Sequence, residues 1–185
     1  MAFLERAILF QVAKKKAPPT AYERAIRYLA KRSHSRKELA VKLSRNYDEP
    51  EVKAALQRAE AHGYLDDRQY ALQRALLSRL HKNWGDRRIA LDLEQHEIAQ
   101  AVISEALETA AGERPESVAL QSIVDRWVES KGAPRSLSRL KKLHDRCQRL
   151  GFPPDAIRQL LSPYFRMMSR TENPQDGSGD ELKES

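Results

Sequence analysis

The sequence predicts an all-α protein, an elongated, curved array of three tandem three-helix repeats. Three observations predict it. Apolar residues recur at i, i+3, i+4 and i+7, as in Val52, Ala55, Leu56 and Ala59, a spacing that gathers them on one helical face. Short breaks containing glycine, proline or asparagine separate these segments. Leu39, Ala40 and Leu43 return as Ile89, Ala90 and Leu93, fifty residues on at all three positions. A period near fifty with three helices per set implies that each set packs chiefly on its neighbours and that the array grows lengthwise.

Composition agrees. Of 185 residues, 41% are apolar, 6% aromatic and 32% charged, which suits a thin helical body better than a compact sheet protein. The formal charge of +7 and a pI near 9.6 favour an anionic partner, either nucleic acid or an acidic protein surface. The single cysteine, Cys147, excludes an intrachain disulfide and a thiolate metal cluster, and reads as a small buried helix residue of a protein in a reducing compartment. No apolar run approaches the roughly 18 residues that span a membrane. Glu5 and Arg6 interrupt the apolar start and no small-residue cleavage site follows, so no signal peptide is expected.

Residues 1–19 end in Lys14-Lys15-Lys16-Ala17-Pro18-Pro19 and read as a mobile basic arm. The first repeat, 20–66, opens at Thr20 or Ala21 with Tyr22, Ala25, Ile26 and Leu29 inward and Arg24, Arg27, Lys31 and Arg32 on the other face. Ser35-Arg36-Lys37-Glu38 is a capping box, with the serine oxygen accepting from the Glu38 N–H and the Glu38 carboxylate reaching back to the serine N–H. It starts a helix that buries Leu39, Ala40 and Leu43. After the break at Asn46 to Pro50, the helix of Val52 to Ala59 completes the set. Gly63 ends it, because glycine takes the left-handed C-cap conformation without steric cost. Tyr64 and Leu65 then fold back, and Asp66 or Asp67 caps the next helix.

The second repeat, 67–111, carries Tyr70, Leu72, Leu76 and Leu80, a break at Lys82-Asn83-Trp84-Gly85, then Ile89, Ala90 and Leu93, then Ala99, Val102, Ile103 and Ala106. The third, 112–165, carries Leu120, Ile123, Val124 and Trp127, then Leu140, Leu143, Cys147 and Leu150, then Ile157, Leu160, Leu161 and Tyr164. Between its last two helices, Gly151-Phe152-Pro153-Pro154-Asp155 repeats the glycine, aromatic, acid order of Gly63 to Asp67. Residues 166–185 are expected to be a disordered acidic tail.

Charge is uneven. Residues 1–48 hold 12 Lys/Arg against 4 Asp/Glu, residues 49–111 hold 8 against 11, and residues 112–170 hold 12 against 6. A pure nucleic-acid clamp would stay basic throughout, so the acidic middle points to a protein surface as part of the target. Nothing points to catalysis or a metal. The five histidines lack ligand spacing, no phosphate-binding glycine loop is present, and Asp66-Asp67 after a glycine turn read as caps. Trp127 completes an apolar stripe and reads as core. Trp84, in a turn among basic residues, is the better candidate for contact.

The joint His62-Gly63-Tyr64-Leu65-Asp66-Asp67-Arg68-Gln69-Tyr70-Ala71, followed by Trp84-Gly85-Asp86-Arg87-Arg88-Ile89 and Leu91-Asp92-Leu93, resembles the RecX regulatory proteins of bacteria. The opening Arg24-Ala25-x-x-Tyr28-Leu29-Ala30-x-Arg32-x-x-Ser35-x-x-Glu38-Leu39-x-x-Lys42-Leu43 is similar to that family's N-terminal motif. The resemblance covers residues 21 to 165, strongly over two repeats and weakly over the third. It departs at Gln95-His96-Glu97-Ile98, where the family usually has a glycine before the isoleucine. It implies a cytoplasmic, non-enzymatic protein; no cofactor, metal or membrane contact is expected of the chain, which is expected to be a monomer. Its implied partner is the RecA recombinase, chiefly the RecA filament on single-stranded DNA, whose ATPase, strand exchange and extension it restrains. It also implies weak affinity for single- or double-stranded DNA. The expected contact face is Arg24, Arg27, Lys31, Arg32, Arg36, Lys37, Arg74, Arg79, Lys82, Trp84, Arg87 and Arg88. The alternative is a helical protein acting directly on DNA or RNA without RecA.

Overall fold

The structure, a computed structural model, describes residues 18–171. The basic run Lys14 to Ala17 and residues 172–185 of the acidic tail lie outside the described residues. Those described form α1 (Ala21–Leu29), α2 (Arg36–Leu43), α3 (Glu49–Ala61), α4 (Asp67–Lys82), α5 (Asp86–Gln95), α6 (Gln100–Glu113), α7 (Glu116–Lys131), α8 (Leu137–Arg149) and α9 (Pro154–Thr171), with no strand among them. Because α9 runs to Thr171, residues 166–171 are helical and the acidic tail begins later than the sequence suggested. The chain divides into two compact units, one ending at Asp67 and one beginning at Arg68.

The first unit holds α1 to α3. Each helix starts on a side-chain cap. Thr20 and Glu23 form a reciprocal capping box, as do Asp48 and Glu51, each exchange satisfying two N–H groups that the first turn leaves free. At Ser35 only half of the expected box forms. The serine oxygen accepts from the Glu38 N–H at 3.1 Å, but the Glu38 carboxylate turns to Arg32 and Lys42, because two cations within reach hold it better than one amide does. Ala21, Ala25, Leu39, Leu43, Val52, Ala55, Leu56, Ala59 and Leu65 make the core, and α1 packs on both other helices.

The second unit has two cores. Tyr70, Ala71, Ala75, Ile89, Leu93, Ile98, Ile103, Ala106 and Ala110 form one, from α4 to α6. Ala119, Leu120, Ile123, Val124, Trp127, Leu143, Cys147, Phe152, Ile157 and Leu161 form the other, from α7 to α9. Trp127 and Cys147 are thus core, as their spacing suggested. The sequence misplaced part of α4. Leu80 is 42% exposed and Leu72 and Leu76 are only half-buried, because the helix turns its small face, Ala71 and Ala75, inward and so lets the backbones approach. Ala99, expected in the core, is the exposed N-cap of α6.

Two glycines join the cores. The Gly85 N–H donates to the Leu150 carbonyl at 2.8 Å, and a Cβ on Gly85 would lie 2.5 Å from the Gly151 carbonyl oxygen. A Cβ on Gly151, whose φ is +92°, would run into the Arg88 backbone nitrogen. The same device starts the middle helices of the first two sets. The first residue of α2, Arg36, donates its N–H to Asp67 at 2.7 Å, and the first residue of α5, Asp86, donates its N–H to Glu116 at 2.8 Å. Asp67 and Glu116 each open the helix that begins the following set. Asp67 therefore caps α2, a role the sequence did not assign it.

Gly63-Tyr64 and Gly151-Phe152, which the sequence likened, make the same six-residue closure, Tyr64 donating its N–H to Ala59 and Phe152 to Cys147, but they sit at different joints. Gly63 follows a third helix and Gly151 a middle one. The counterpart of Gly151-Phe152 is Glu97-Ile98. Ile98 donates its N–H to Leu93 and Phe152 donates to Cys147, the same six-residue closure fifty-four residues apart. Glu97 takes a φ of +58° there, so the turn forms without the glycine.

Candidate interaction surface

The predicted basic positions divide into those neutralised by acids and those left uncommitted. In the first unit, Arg32 and Lys42 share the Glu38 carboxylate, and Arg36 pairs with Glu60 at 3.3 Å. Burial pushes the Glu38 pKa up, but the hydrogen bond and charge of Arg32, with help from His34 and Lys42, bring it down to about 2. Arg24 donates to the Tyr47 hydroxyl at 3.4 Å, a contact that raises its pKa. Arg27 and Lys31 are exposed, and Lys37 is half-buried.

In the second unit, Arg74 grips Asp92 with two hydrogen bonds of 2.7 and 3.0 Å. Burial would raise the Asp92 pKa, and this bidentate arginine outweighs it, so the group stays below the ordinary carboxylate range. Arg79, expected on the contact face, is 0% exposed. It pairs with Asp86, while its Nε and Nη1 groups have no hydrogen-bond partner. Nearby, burial raises the pKa of Glu116. Arg79 faces inward because its position on α4 lies beside buried Ala75 and Ser78, a face the sequence pattern did not single out. It belongs to the interior, and the basic surface loses it.

Lys82, Arg87 and Arg88 remain exposed around Trp84. The tryptophan is placed by backbone. Asn83, buried and at φ +51°, turns the chain, the Trp84 N–H donates to the Ser78 carbonyl, and the Gly85 N–H to Leu150. The Lys82 ammonium sits 4.2 Å and the Arg88 guanidinium 4.8 Å from the Trp84 ring centroid. Arg88 also donates to the Arg149 carbonyl at 3.1 Å, which brings α5 against the end of α8. Trp84, Arg87, Arg88, Gln95, Gln148 and Arg149 line a cleft of about 340 Å³ there.

That contact exposes residues the sequence reading passed over. Along α8, Arg139, Lys142, Arg146 and Arg149 are spaced three, four and three apart, which places them on one helical face. All four are exposed, and none has an acidic partner among the described residues. The basic spacing was legible in the sequence, but only the Arg88–Arg149 contact shows that this stripe runs into the Trp84 cleft. Elsewhere, the Cys147 thiol is buried and pushed up to about 11, so it stays protonated and unreactive at neutral pH. Among the described residues no three of His, Cys, Asp and Glu group as metal ligands, and no helix is long and apolar enough to cross a membrane.

Comparison with known proteins places the chain among relatives. A family profile described as "RecX, first three-helix domain" matches residues 21–58. The regulatory protein RecX of Vibrio parahaemolyticus is 36% identical over 96 residues, 51% of this chain and 61% of that protein. The regulatory protein RecX of Xanthomonas campestris is 33% identical over 140 residues, 75% of this chain and 84% of that protein. Against the Vibrio relative the match thus spans about three fifths of its length. The crystal structure of RecX from Lactobacillus salivarius shares the fold, with a TM-score of 0.63 at 17% identity over 80% of this chain and 94% of that one.

Proposed function

This chain belongs to the RecX family of regulatory proteins, and from that premise we propose that it binds the RecA recombinase and its filament on single-stranded DNA, restraining ATP hydrolysis, strand exchange and filament extension. The role is regulatory and not catalytic, and it fits a cytoplasmic protein. One observation supports the filament as target, namely the cluster of uncommitted cations Lys82, Arg87, Arg88 and Arg149 around Trp84. A filament of protein on DNA is a polyanion with protein walls, and cations already held by internal acids would contribute little toward it. Arg32, Arg36, Lys42 and Arg74 are held in such pairs, whereas the Trp84 cluster gathers cations with no acid partner among the described residues around one ring, so that cluster carries the reading. The division into repeats 20–66, 67–111 and 112–165 is part of this proposal, each set contributing one core and one surface.

The α8 stripe supports a second reading, direct contact with a nucleic-acid backbone. One experiment separates them. Binding of the chain to a single-stranded oligonucleotide is measured with and without RecA at 50 and 200 mM salt. The filament reading predicts association that needs RecA at both salt concentrations. Equal binding without RecA, with a steep loss in salt, contradicts it and supports direct recognition.

A further inference from the structure

The face of α8 opposite its basic stripe carries Leu137, Leu140, Lys141 and His144 at i, i+3, i+4 and i+7. Leu143 and Cys147, between the two faces, are buried. With Leu161 and Phe165 of α9, the first face lines a trough of about 560 Å³. Leu137 is 59% and Phe165 54% exposed within it, large apolar side chains side by side in water. Lys141 lines the trough and Arg135 an adjoining pocket that shares Leu137 and Phe165 with it, both exposed and without an acidic partner among the described residues. Residues 112–170 as a whole hold 12 Lys/Arg against 6 Asp/Glu.

We infer that this trough between α8 and α9 docks an amphipathic helix of a protein partner, its apolar stripe seated on Leu137, Leu140 and Phe165 and its flanking acids on Arg135 and Lys141. The inference rests on the reading proposed above in one respect only: it places that helix on the RecA subunit. An apolar trough walled by two helices is the shape that receives a third, through anchors at i, i+3, i+4 and i+7. Charge decides among helical occupants. A second copy of this surface would bring six excess positive charges against six, and the apolar residues Phe3, Leu4, Ala7 and Ile8 of this chain lead into three lysines. Residues 172–185 are acidic enough, but they hold one large apolar residue, Leu182, against four on the trough walls. A partner helix with acids beside its apolar stripe satisfies both requirements.

The test uses the full chain and two synthetic helical peptides with the same leucine stripe, one flanked by glutamates and one by lysines. The acidic peptide is expected to bind at least tenfold more tightly than the basic one. Leu137→Ser with Phe165→Ser, both at exposed positions where the fold has little to lose, should weaken it at least tenfold. Arg135→Glu with Lys141→Glu should reverse the preference. Equal binding of both peptides, no binding, or binding unchanged in the serine variant overturns the proposal. So does a mass that doubles with concentration in the unmodified chain and not in the serine variant. A parallel measurement of RecA association separates the two readings. If the acidic peptide binds as described and RecA does not, the trough stands and the assignment to RecA falls.

Discussion

Glu97 shows how a single position can contradict a motif and keep the geometry. An L-residue in the left-handed region costs about 1 kcal/mol, and Glu97 bears this at φ +58° because the Ile98 N–H bond to Leu93 and the burial of Ile98 hold the turn. Glu97→Gly should therefore stabilise the protein by about 0.5–1 kcal/mol in urea denaturation. Arg79 makes the opposite case, a buried charge with two unsatisfied groups. Arg79→Met, of similar length, should leave stability within about 1 kcal/mol of the parent and leave RecA binding unchanged, since removing unpaired buried donors offsets the missing ion pair with Asp86. Failure of a folded Arg79→Met protein to bind would return that residue to the contact face. Glu38 gives the pH dependence. Its folded pKa of about 2 lies below the usual 4.5, so its stabilisation is complete above the unfolded value and drains away as pH falls from about 4.5 toward 2. Glu38→Gln should flatten that part of an acid-denaturation curve, and an unchanged acid limb would contradict the assignment.

The helices themselves were largely legible, because cap and stripe signals are local. Ser35, Gly63 and the stripes of α3 and α7 could be read from neighbours within four residues. What escaped depends on residues far apart in the chain. The bond from Asp86 to Glu116 spans thirty residues, and the Gly85–Gly151 approach spans sixty-six, so no periodicity carries them. Gly151→Ala should destabilise the protein by at least about 2 kcal/mol, because both its φ and the Arg88 backbone exclude a Cβ. The basic face escaped for a related reason. Sequence shows where arginines stand, but not that Glu38 occupies Arg32, Asp92 occupies Arg74, or that Arg79 is interior. On α8, reversing Arg139, Lys142 and Arg146 to glutamate lies outside the core, so the helix should persist by circular dichroism. If the stripe meets phosphates, the salt slope for single-stranded DNA falls by about 0.7 for each phosphate no longer neutralised, or about 2 in all. An unchanged slope would leave the stripe as a solvated surface.

At the scale of the whole molecule, three consecutive cores built from the same helix order explain why one fifty-residue offset in the sequence announced the architecture. The partner did not follow from that regularity. A repeat of amphipathic helices states how the chain packs, while the choice of RecA comes from family membership, and the uncommitted charge at Arg87 and Arg88 marks the surface proposed to meet it. Arg87→Glu with Arg88→Glu should accordingly weaken inhibition several-fold without melting the fold.

The most direct measurement is the steady-state rate of ATP hydrolysis by RecA on single-stranded DNA, titrated with this protein well below one copy per RecA. Hydrolysis is expected to fall at such ratios, and the Arg87→Glu, Arg88→Glu protein to need several times more to match it. A rate that stays constant up to one copy per RecA would contradict the regulatory role.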